Sequence, residues 1–335
     1  MTVLEAGQTV DRYEVREFVG EGGMAMVYRA RHRILGSDHA LKVMTNIHPS
    51  FQDRLLREGR AQSSLSHINI VHVSDVLRIG DSLALVMDWV EGMTLREWLA
   101  YNSPSMDEAL HIFRGIVRGV RHAHAHGVVH RDLKPGNVLM QGSEKGPVPK
   151  VADFGLAKVQ VDDPSGDPGT YTLWDDRVPL TRSGAALGTP EYMAPEQVRD
   201  AAKVDARADL FSLGCILYEL ACGKQAFSGD VVDVYKAVTD GRYVPPEEIV
   251  PDLPASVVVA IHSLLSVDAD ARLATCDQLL ALLDPPMVPD IAPRNAHDDD
   301  PAAPALAPSP EIAILPIVGP MTGIVVAAFL VAWFL

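Results

Sequence analysis

The chain has 335 residues and a formal net charge of −15 at pH 7, with 47% hydrophobic and 22% charged residues. This length exceeds what one hydrophobic core usually supports, so two packed lobes or domains are expected. The acidic balance argues against a nucleic-acid-binding protein, because phosphate binding needs clustered Lys and Arg. Three cysteines without CxxC spacing and a start that lacks the pattern of a signal peptide suggest a reducing compartment.

The first part of the chain is predicted to consist mainly of strands. Residues 13–45 alternate between polar and apolar side chains and carry turn signals, which predicts an antiparallel meander. Residues 51–65 predict a helix. One stripe of that helix carries four residues: Leu55, Glu58, Gln62 and Leu65. Two short strands are expected near 70–78 and 83–87.

Helices dominate from Asp107 onward. A core-facing helix is predicted from side chains at steps of three and four: Leu110, Phe113, Val117, Val120 and His124. Residues 209–223 are apolar on most sides and predict a central helix that ends at Gly223. A strand-rich first lobe followed by a helical second lobe is an α+β fold.

Three segments differ from this globular pattern. Residues 160–180 are rich in Asp, Gly and Pro and predict a long exposed loop. Residues 284–311 predict a Pro/Ala/Asp-rich linker. Residues 312–335 carry no charged side chain, and the last 22 of them would form about 33 Å of helix, enough to cross a hydrocarbon core of about 30 Å. We expect a transmembrane helix there; the alternative is a buried helix of the globular part.

A glycine-rich stretch, "VGEGGMAMVYRA" at residues 19–30, lies between two predicted strands. Glycines let backbone N–H groups approach a phosphate closely. A simple hairpin turn uses the same residues, so this stretch alone leaves both interpretations open.

A lysine in "HALKVM" is predicted to point inward. Strand alternation places Ala40, Lys42 and Met44 on one face. Glu58 lies on the apolar stripe of the following helix. Burying either charge alone is costly, so the pattern predicts a Lys42–Glu58 ion pair, with two unrelated solvent-exposed charges as the alternative.

The segment "VVHRDLKPGNVLM", residues 128–140, places an acid, a cation and an amide between apolar pairs that predict short buried strands. In the turn between them, Asp132 can accept a proton and Lys134 can neutralise charge on a migrating phosphoryl group. Asp153 follows an apolar strand in "VADFGLA" and precedes a permissive glycine. Its carboxylate and the amide oxygen of Asn137 suit Mg²⁺, a hard cation.

Taken in order, these motifs resemble a protein kinase, in particular the eukaryotic-like Ser/Thr kinases of bacteria. The resemblance rests on Gly20-x-Gly22-x-x-Ala25-x-Val27, Ala40-x-Lys42, Glu58, His130-Arg131-Asp132-x-Lys134-x-x-Asn137, Asp153-Phe154-Gly155 and Ala194-Pro195-Glu196. It implies a bilobal kinase domain at 13–283, with an N-lobe at 13–88 and a C-lobe at 89–283, which is the phosphoryl-transfer architecture.

The resemblance also implies roles for individual residues. Asp132, Lys134, Lys42 and Glu58 would be catalytic, and Asn137 and Asp153 would hold Mg²⁺, or Mn²⁺ in its place. ATP would contact Lys42 and twelve further residues: Val19, Gly20, Glu21, Gly22, Gly23, Ala25, Val27, Ala40, Met87, Asp88, Val90 and Leu139. Among these, Met87 would be the gatekeeper, and the backbone of Asp88 and Val90 would bind adenine. Glu196 and Arg272 match the family's buried ion pair, and Asp209 matches the residue that supports the catalytic loop.

Two departures from the family pattern stand out. Ala25 replaces the third glycine of the loop, and the stretch from Asp153 to Glu196 is long. The resemblance also predicts regulation through this stretch, with Thr181 and Ser183 as autophosphorylation sites. Arg131 resembles the cation that binds an activation-loop phosphate in such kinases.

The expected function is therefore ATP-dependent phosphorylation of Ser and Thr in protein substrates, with a pseudokinase scaffold on the membrane as the alternative. A scaffold could lose any member of the catalytic set, whereas this sequence retains all of them. The expected location is the cell membrane, with a single C-terminal span and the kinase domain in the cytoplasm, where ATP is available. Pairing of two kinase domains as a homodimer is a further expectation.

Overall fold

A computed structural model describes residues 3–22, 25–44, 56, 59–80, 82–144, 146–154, 190–199 and 204–284. The chain divides into two units, Met1–Pro286 and Met287–Leu335, and every described residue belongs to the first. Within the described part of the chain, no helix is long and apolar enough to cross a bilayer. The predicted span at 312–335 lies outside the described residues.

The first half of the described chain forms a six-stranded antiparallel sheet in the order β1-β2-β3-β4-β6-β5. Its strands are β1 (Thr9–Val10), β2 (Tyr13–Gly22), β3 (Ala25–His32), β4 (Asp38–Met44), β5 (Val73–Ile79) and β6 (Ser82–Asp88). The predicted meander and the two later strands are thus present. Helix α1 includes residues 59–63 and lies between β4 and β5.

Alternation along the strands gives this sheet two different faces. One face joins the N-terminal segment in an apolar cluster that includes Leu4, Tyr28 and Leu41. Leu4 and β1 precede residue 13, where the kinase domain was predicted to begin. The opposite face carries Ala40 and Met87, which are paired across β4 and β6. That second face borders the cleft described below.

The second half is helical around α5 (Ala206–Cys222), twelve of whose residues are buried. Asp205 caps its N-terminus, and Gly223 ends it with a left-handed φ of 69°, as predicted from the glycine. The other helices are α2 (Leu95–Tyr101), α3 (Met106–Ala125), α4 (Pro195–Arg199), α6 (Val231–Asp240), α7 (Pro246–Ile249), α8 (Ala255–Leu264) and α9 (Cys276–Leu283).

Helix α3 buries the predicted apolar stripe against α5 and a small sheet. Phe113, Val117 and Val120 are fully buried. A Cβ on Gly119 would lie 2.6 Å from the carbonyl oxygen of Asn69, so glycine is required for this close approach. The small sheet has the order β7-β8-β9, formed by β7 (Gly92–Thr94), β8 (Val138–Gln141) and β9 (Val148–Val151).

One predicted strand is wrong. Val128 and Val129 were expected to pair as a strand, like Val138 and Leu139, but only the second pair belongs to one. The N–H of Val128 instead bonds the α3 carbonyl of Ala123 at 3.0 Å. The next backbone N–H groups are bound by a side chain of α5, as described below, so no strand partner is needed.

Candidate active site

One buried carboxylate binds the backbone at the start of the segment 130–137. Asp209, in the first turn of α5, is fully buried and accepts hydrogen bonds from the N–H groups of His130 and Arg131, both at 2.8 Å. It also bonds Nε2 of His124 at 2.7 Å. Arg131 has a φ of 69°, a left-handed conformation that is costly for a non-glycine residue and that these bonds stabilise.

The environment keeps Asp209 ionised. Burial alone would raise its pKa, but the hydrogen bond and charge of His124, together with His130 and the Arg131 N–H, hold the pKa below its ordinary value. An ionised carboxylate that accepts these hydrogen bonds can therefore orient the loop at 130–137.

That loop brings together the acid, the cation and the amide noted in the sequence. Lys134 Nζ lies 2.8 Å from Asp132 Oδ2. Asn137 donates its Nδ2 to the carbonyl oxygen of Asp132 at 2.7 Å and to its Oδ2 at 3.2 Å. The Asp132 side chain is 36% exposed, so it remains accessible to a substrate hydroxyl.

Asp153 reaches the same cleft from the end of β9. The backbone N–H of Ala152 bonds the Asn137 carbonyl at 2.9 Å, which couples the turn at Asp153 to the 130–137 loop. Asp153 itself has a φ of 64°. Burial would raise its pKa, but the charge and hydrogen bond of Lys42, with smaller contributions from His130 and Lys134, hold that pKa below its ordinary value.

Lys42 enters the cleft from the sheet. Its Nζ lies 2.6 Å from Asp153 Oδ1, and its side chain is 15% exposed. The sequence predicted Glu58 as its partner. Glu58 lies outside the described residues, so that pair stays a prediction, while the contact with Asp153 was not foreseen.

The donor set of this cleft fits a divalent magnesium ion. Asp153 supplies an ionised carboxylate, and Asn137 turns its Nδ2 toward Asp132, which leaves its Oδ1 as the atom for a metal. Mg²⁺ commonly binds through one or two protein oxygens and completes its shell with water and substrate phosphates.

An apolar cluster also borders the cleft. Five of the side chains expected to contact ATP belong to one cluster or pack on it: Val27, Ala40, Met87, Val90 and Leu139. Apolar side chains of this kind suit contact with an adenine ring. The N–H of Asp88 bonds the His72 carbonyl at 3.0 Å, so only its carbonyl oxygen remains for the adenine contact expected of it.

The glycine stretch forms the tip of the β2–β3 hairpin, where Gly20 pairs with Val27 and Gly22 with Ala25. Val19 is half exposed, and Glu21 is exposed on the same strand. Gly23 lies outside the described residues. The described residues thus confirm the hairpin pairing, and the sheet to which it belongs also carries Lys42. The phosphate-binding interpretation stays a prediction.

The activation segment is largely outside the described residues. This applies to the predicted loop at 160–180 and to the phosphosites Thr181 and Ser183. The guanidinium of Arg131 donates to the Val204 carbonyl at 3.2 Å. Its expected partnership with a phosphate stays a prediction.

Beyond the activation segment, the expected pair of Glu196 and Arg272 is present. Two nitrogens of Arg272 contact the two Glu196 oxygens at 2.6 and 2.8 Å. Sequence reasoning missed Gln197, which donates to the Arg131 carbonyl at 2.7 Å. It also assigned no role to His124 beyond the core stripe. Both act across long sequence separations, for which a single chain carries no local signal.

Comparison with known proteins shows the family of the chain. The model of the protein kinase domain family matches residues 13–282. The DNA damage-responsive serine/threonine-protein kinase RqkA of Deinococcus radiodurans is 37% identical over 78% of this chain and 37% of its own length. The serine/threonine-protein kinase PknB of Mycolicibacterium smegmatis is 35% identical over 81% of this chain and 42% of its own length. The chain therefore spans less than half the length of these relatives.

Solved structures share the fold. Rad53 1–466 in complex with AMP-PNP superposes with a TM-score of 0.64 and 27% identity, over 80% of this chain and 64% of that one. The kinase domain of Mycobacterium tuberculosis PknI has a TM-score of 0.63 and 23% identity, over 84% of this chain and 99% of that one. The second likeness concerns the fold alone.

Proposed function

This chain belongs to the protein kinase domain family, and on that premise we propose that it transfers the γ-phosphoryl group of ATP to Ser and Thr hydroxyls of protein substrates. The observation that carries the proposal is the convergence of Lys42, Asp132, Asn137 and Asp153 on one cleft. The Lys42–Asp153 contact is 2.6 Å and the Asn137–Asp132 side-chain contact is 3.2 Å. The names of the relatives support Ser/Thr specificity.

The geometry supports a direct transfer. Asp132 accepts the proton of the substrate hydroxyl, whose oxygen bonds the γ-phosphorus while the bond to the bridging oxygen breaks and ADP leaves. Lys134, 2.8 Å from Asp132, neutralises charge on the transferred group. When bound by Asn137 and Asp153, Mg²⁺ would neutralise phosphate charge and align the β- and γ-phosphates.

Lys42 has two partners in this scheme. Its ammonium lies 2.6 Å from Asp153 Oδ1, and it would also contact the α- and β-phosphates of ATP, while Asp153 would hold the metal. The alternative of a pseudokinase scaffold has no structural observation in its favour, since each described member of the catalytic set has a partner in the cleft.

The test is a transfer assay on the full chain. We expect Mg²⁺-dependent incorporation of labelled γ-phosphate into Ser or Thr of a protein substrate, and a rate about 10²- to 10⁴-fold lower for Asp132→Asn. Equal incorporation by the Asp132→Asn variant would contradict the assignment of Asp132.

Activation-loop autophosphorylation is part of the proposal. Arg131 precedes the catalytic acid, and its guanidinium donates to the carbonyl oxygen of Val204, which follows the activation segment in the sequence. A phosphate on Thr181 or Ser183 would provide an anion for it. Peptide mapping of active protein is expected to find phosphate on at least one of these two residues; its absence from both contradicts this part.

Membrane attachment is a separate part. The uncharged stretch at 312–335 is long enough for a single span, and the need for ATP favours a cytoplasmic kinase domain. Deleting 312–335 is expected to move the protein from the membrane fraction to the soluble fraction. Retention in the membrane fraction would refute the anchor.

We also propose that two kinase domains associate. The turn between β3 and β4 exposes two neighbouring apolar side chains, Ile34 at 86% and Leu35 at 75%. Replacing both with Asp is expected to lower the sedimentation-equilibrium mass of the protein toward that of one chain; an unchanged mass would exclude this surface.

A further inference from the structure

A basic surface lies where helix α3 meets β9 and the loop at 66–69. The exposed side of α3 carries Arg118 and Arg121, which are separated by about 4.5 Å along the helix axis. Lys150 of β9 donates its Nζ to the carbonyl oxygen of Ile68 at 2.9 Å. Three permanent cations thus occur in this region of a chain whose formal net charge is −15.

Two stacked histidines connect these cations. The rings of His67 and His122 have centroids 5.1 Å apart. Burial lowers the pKa of His67, and four cationic groups lower it further: His122, Arg121, Arg118 and Lys150. Charges from α3 and from β9 therefore act on the same imidazole, which places the cations on one surface.

The cations have few acidic partners. Arg118 is exposed and has no hydrogen-bond or ion-pair partner within the described residues. Arg121 contacts Asp277 of α9 at 3.2 Å, but the Asp277 side chain is 74% exposed, and a pair of this kind is weak. The surface therefore retains an excess of positive charge.

An exposed apolar side chain adjoins the cations. Ile68 is 68% exposed, at the tip of a loop that is fixed by hydrogen bonds. The Asn69 N–H donates to His67 Nδ1 at 3.1 Å, and Asn69 Nδ2 donates to the Pro149 carbonyl at 2.8 Å. Because this loop is already ordered, a partner that binds it pays little for ordering it.

The number of cations indicates the class of partner. Membrane binding is typical of clusters of about four to eight Lys and Arg. Proteins that bind nucleic acid often make about six to ten phosphate contacts. Three permanent cations beside one apolar side chain are fewer than either, but they match a short peptide with a few carboxylates and one hydrophobic residue.

We propose that an acidic segment of a partner protein docks on this surface, with its carboxylates on the cations and one apolar side chain against the tip of the loop. The surface comprises Ile68, His67, Arg118, Arg121, His122 and Lys150. None of these residues belongs to the catalytic set, so the inference goes beyond phosphate transfer and does not depend on it.

The probe is a fluorescein-labelled peptide of Asp and Glu around a single Leu, titrated with the full chain and followed by fluorescence anisotropy. Arg118→Glu removes an attraction and adds a repulsion, so we expect it to weaken binding about tenfold. Ile68→Ser is expected to weaken binding about threefold, because apolar contact is lost. The matched control is Arg242→Glu, which changes the net charge equally at a side chain 65% exposed and should leave binding unchanged.

Three results would overturn the proposal. The first is that the unsubstituted chain does not bind the peptide, or binds it no better than a peptide of Asn and Gln around Leu. The second is an equal loss for Arg118→Glu and Arg242→Glu, because net charge alone would then explain binding. The third is tighter Arg118-dependent binding of short-chain phosphatidylserine or of a DNA oligonucleotide of the same charge, which would assign the surface to a membrane or to nucleic acid.

The histidines provide a second readout. In the free protein, burial lowers the pKa of His122, and His126 and Arg121 lower it further, as cations do for His67. A bound carboxylate raises both pKa values, so binding and protonation strengthen each other by the same factor.

The peptide is therefore expected to bind about threefold more tightly at about pH 5.5 than at about pH 8. The double variant His67→Gln, His122→Gln should lose this pH dependence and bind as the unsubstituted chain does at about pH 8. PH dependence that survives in the double variant would exclude the two histidines from the surface.

Discussion

The inner face of the sheet and the catalytic loop present charges to the same cleft, but they hold them by different means. Lys42 lies in the middle of β4, whose backbone is paired with β3 and β6, so strand register alone determines where its side chain points. The loop at 130–131 has its two N–H groups bound by Asp209, 78 residues from Arg131. A functional side chain on the sheet is therefore supported by many repeated bonds, whereas one on the loop depends on a few long-range bonds, two of them to a single distant carboxylate.

This difference predicts that substitutions in the two regions affect different properties of the protein. Removing the anchor of the loop should damage stability first, because it leaves buried groups without partners. Removing the charge from the sheet should damage activity and leave the fold nearly intact.

The largest effect is expected for Asp209→Ala. It leaves two buried N–H groups and His124 without their acceptor, and breaking a buried charge network of this kind costs about 3–5 kcal/mol. Urea unfolding is expected to show that loss in the free energy of unfolding. The control is Asp277→Ala, at a side chain 74% exposed, where a surface ion pair contributes about 0–1 kcal/mol. Equal losses in the free energy of unfolding for the two substitutions would show that Asp209 stabilises the fold no more than an exposed carboxylate does.

The second effect concerns Lys42→Met. The strand keeps its backbone pairing, so the free energy of unfolding should change by less than about 1 kcal/mol. The rate of phosphate transfer should fall about 10²- to 10³-fold, because a fixed charge that stabilises the phosphates is gone. A steady-state assay and urea unfolding of the same preparation test both statements. A loss of stability as large as that of Asp209→Ala would show that Lys42 supports the fold.

The smallest effect concerns Arg29 of the interior strand β3, which contacts Trp89 next to the apolar cluster. Arg29 lies 4.9 Å above the ring of Trp89, between Asp88 and Val90, and bonds Asp38 at 2.7 Å. Because a cation–π contact at a partly exposed site contributes about 0.5–1 kcal/mol, Arg29→Met should raise the KM for ATP about two- to fivefold with kcat unchanged. Arg29→Lys keeps the charge and is expected to retain part of the effect. A change in kcat alone would contradict this role.

Much of the site was predictable because its residues occur in short local patterns. The alternation around Lys42 indicated an inward-facing lysine, and the pattern around Asp132 indicated a functional turn. The stop at Gly223 was predicted because a left-handed residue that ends a helix is a local signal. At Lys42, Asp132 and Gly223, a local pattern therefore indicated the right element.

The failures have one physical origin. Val128 and Val129 were predicted as a strand because their β propensity favours it, but a tertiary partner satisfies the backbone that follows them. The contact of Lys42 with Asp153 and the support from Gln197 both join residues far apart in sequence.

By itself, the sequence determined the family, the order of strands and helices and the set of charged groups, because local propensity and spacing specify these. Only the tertiary structure decided which of these charged side chains contact each other. Asp153 contacts Lys42 of the sheet, and Asp209 becomes an anchor only where burial makes each of its hydrogen bonds strong. Burial and close approach arise when distant segments pack, so no short stretch of the chain carries them.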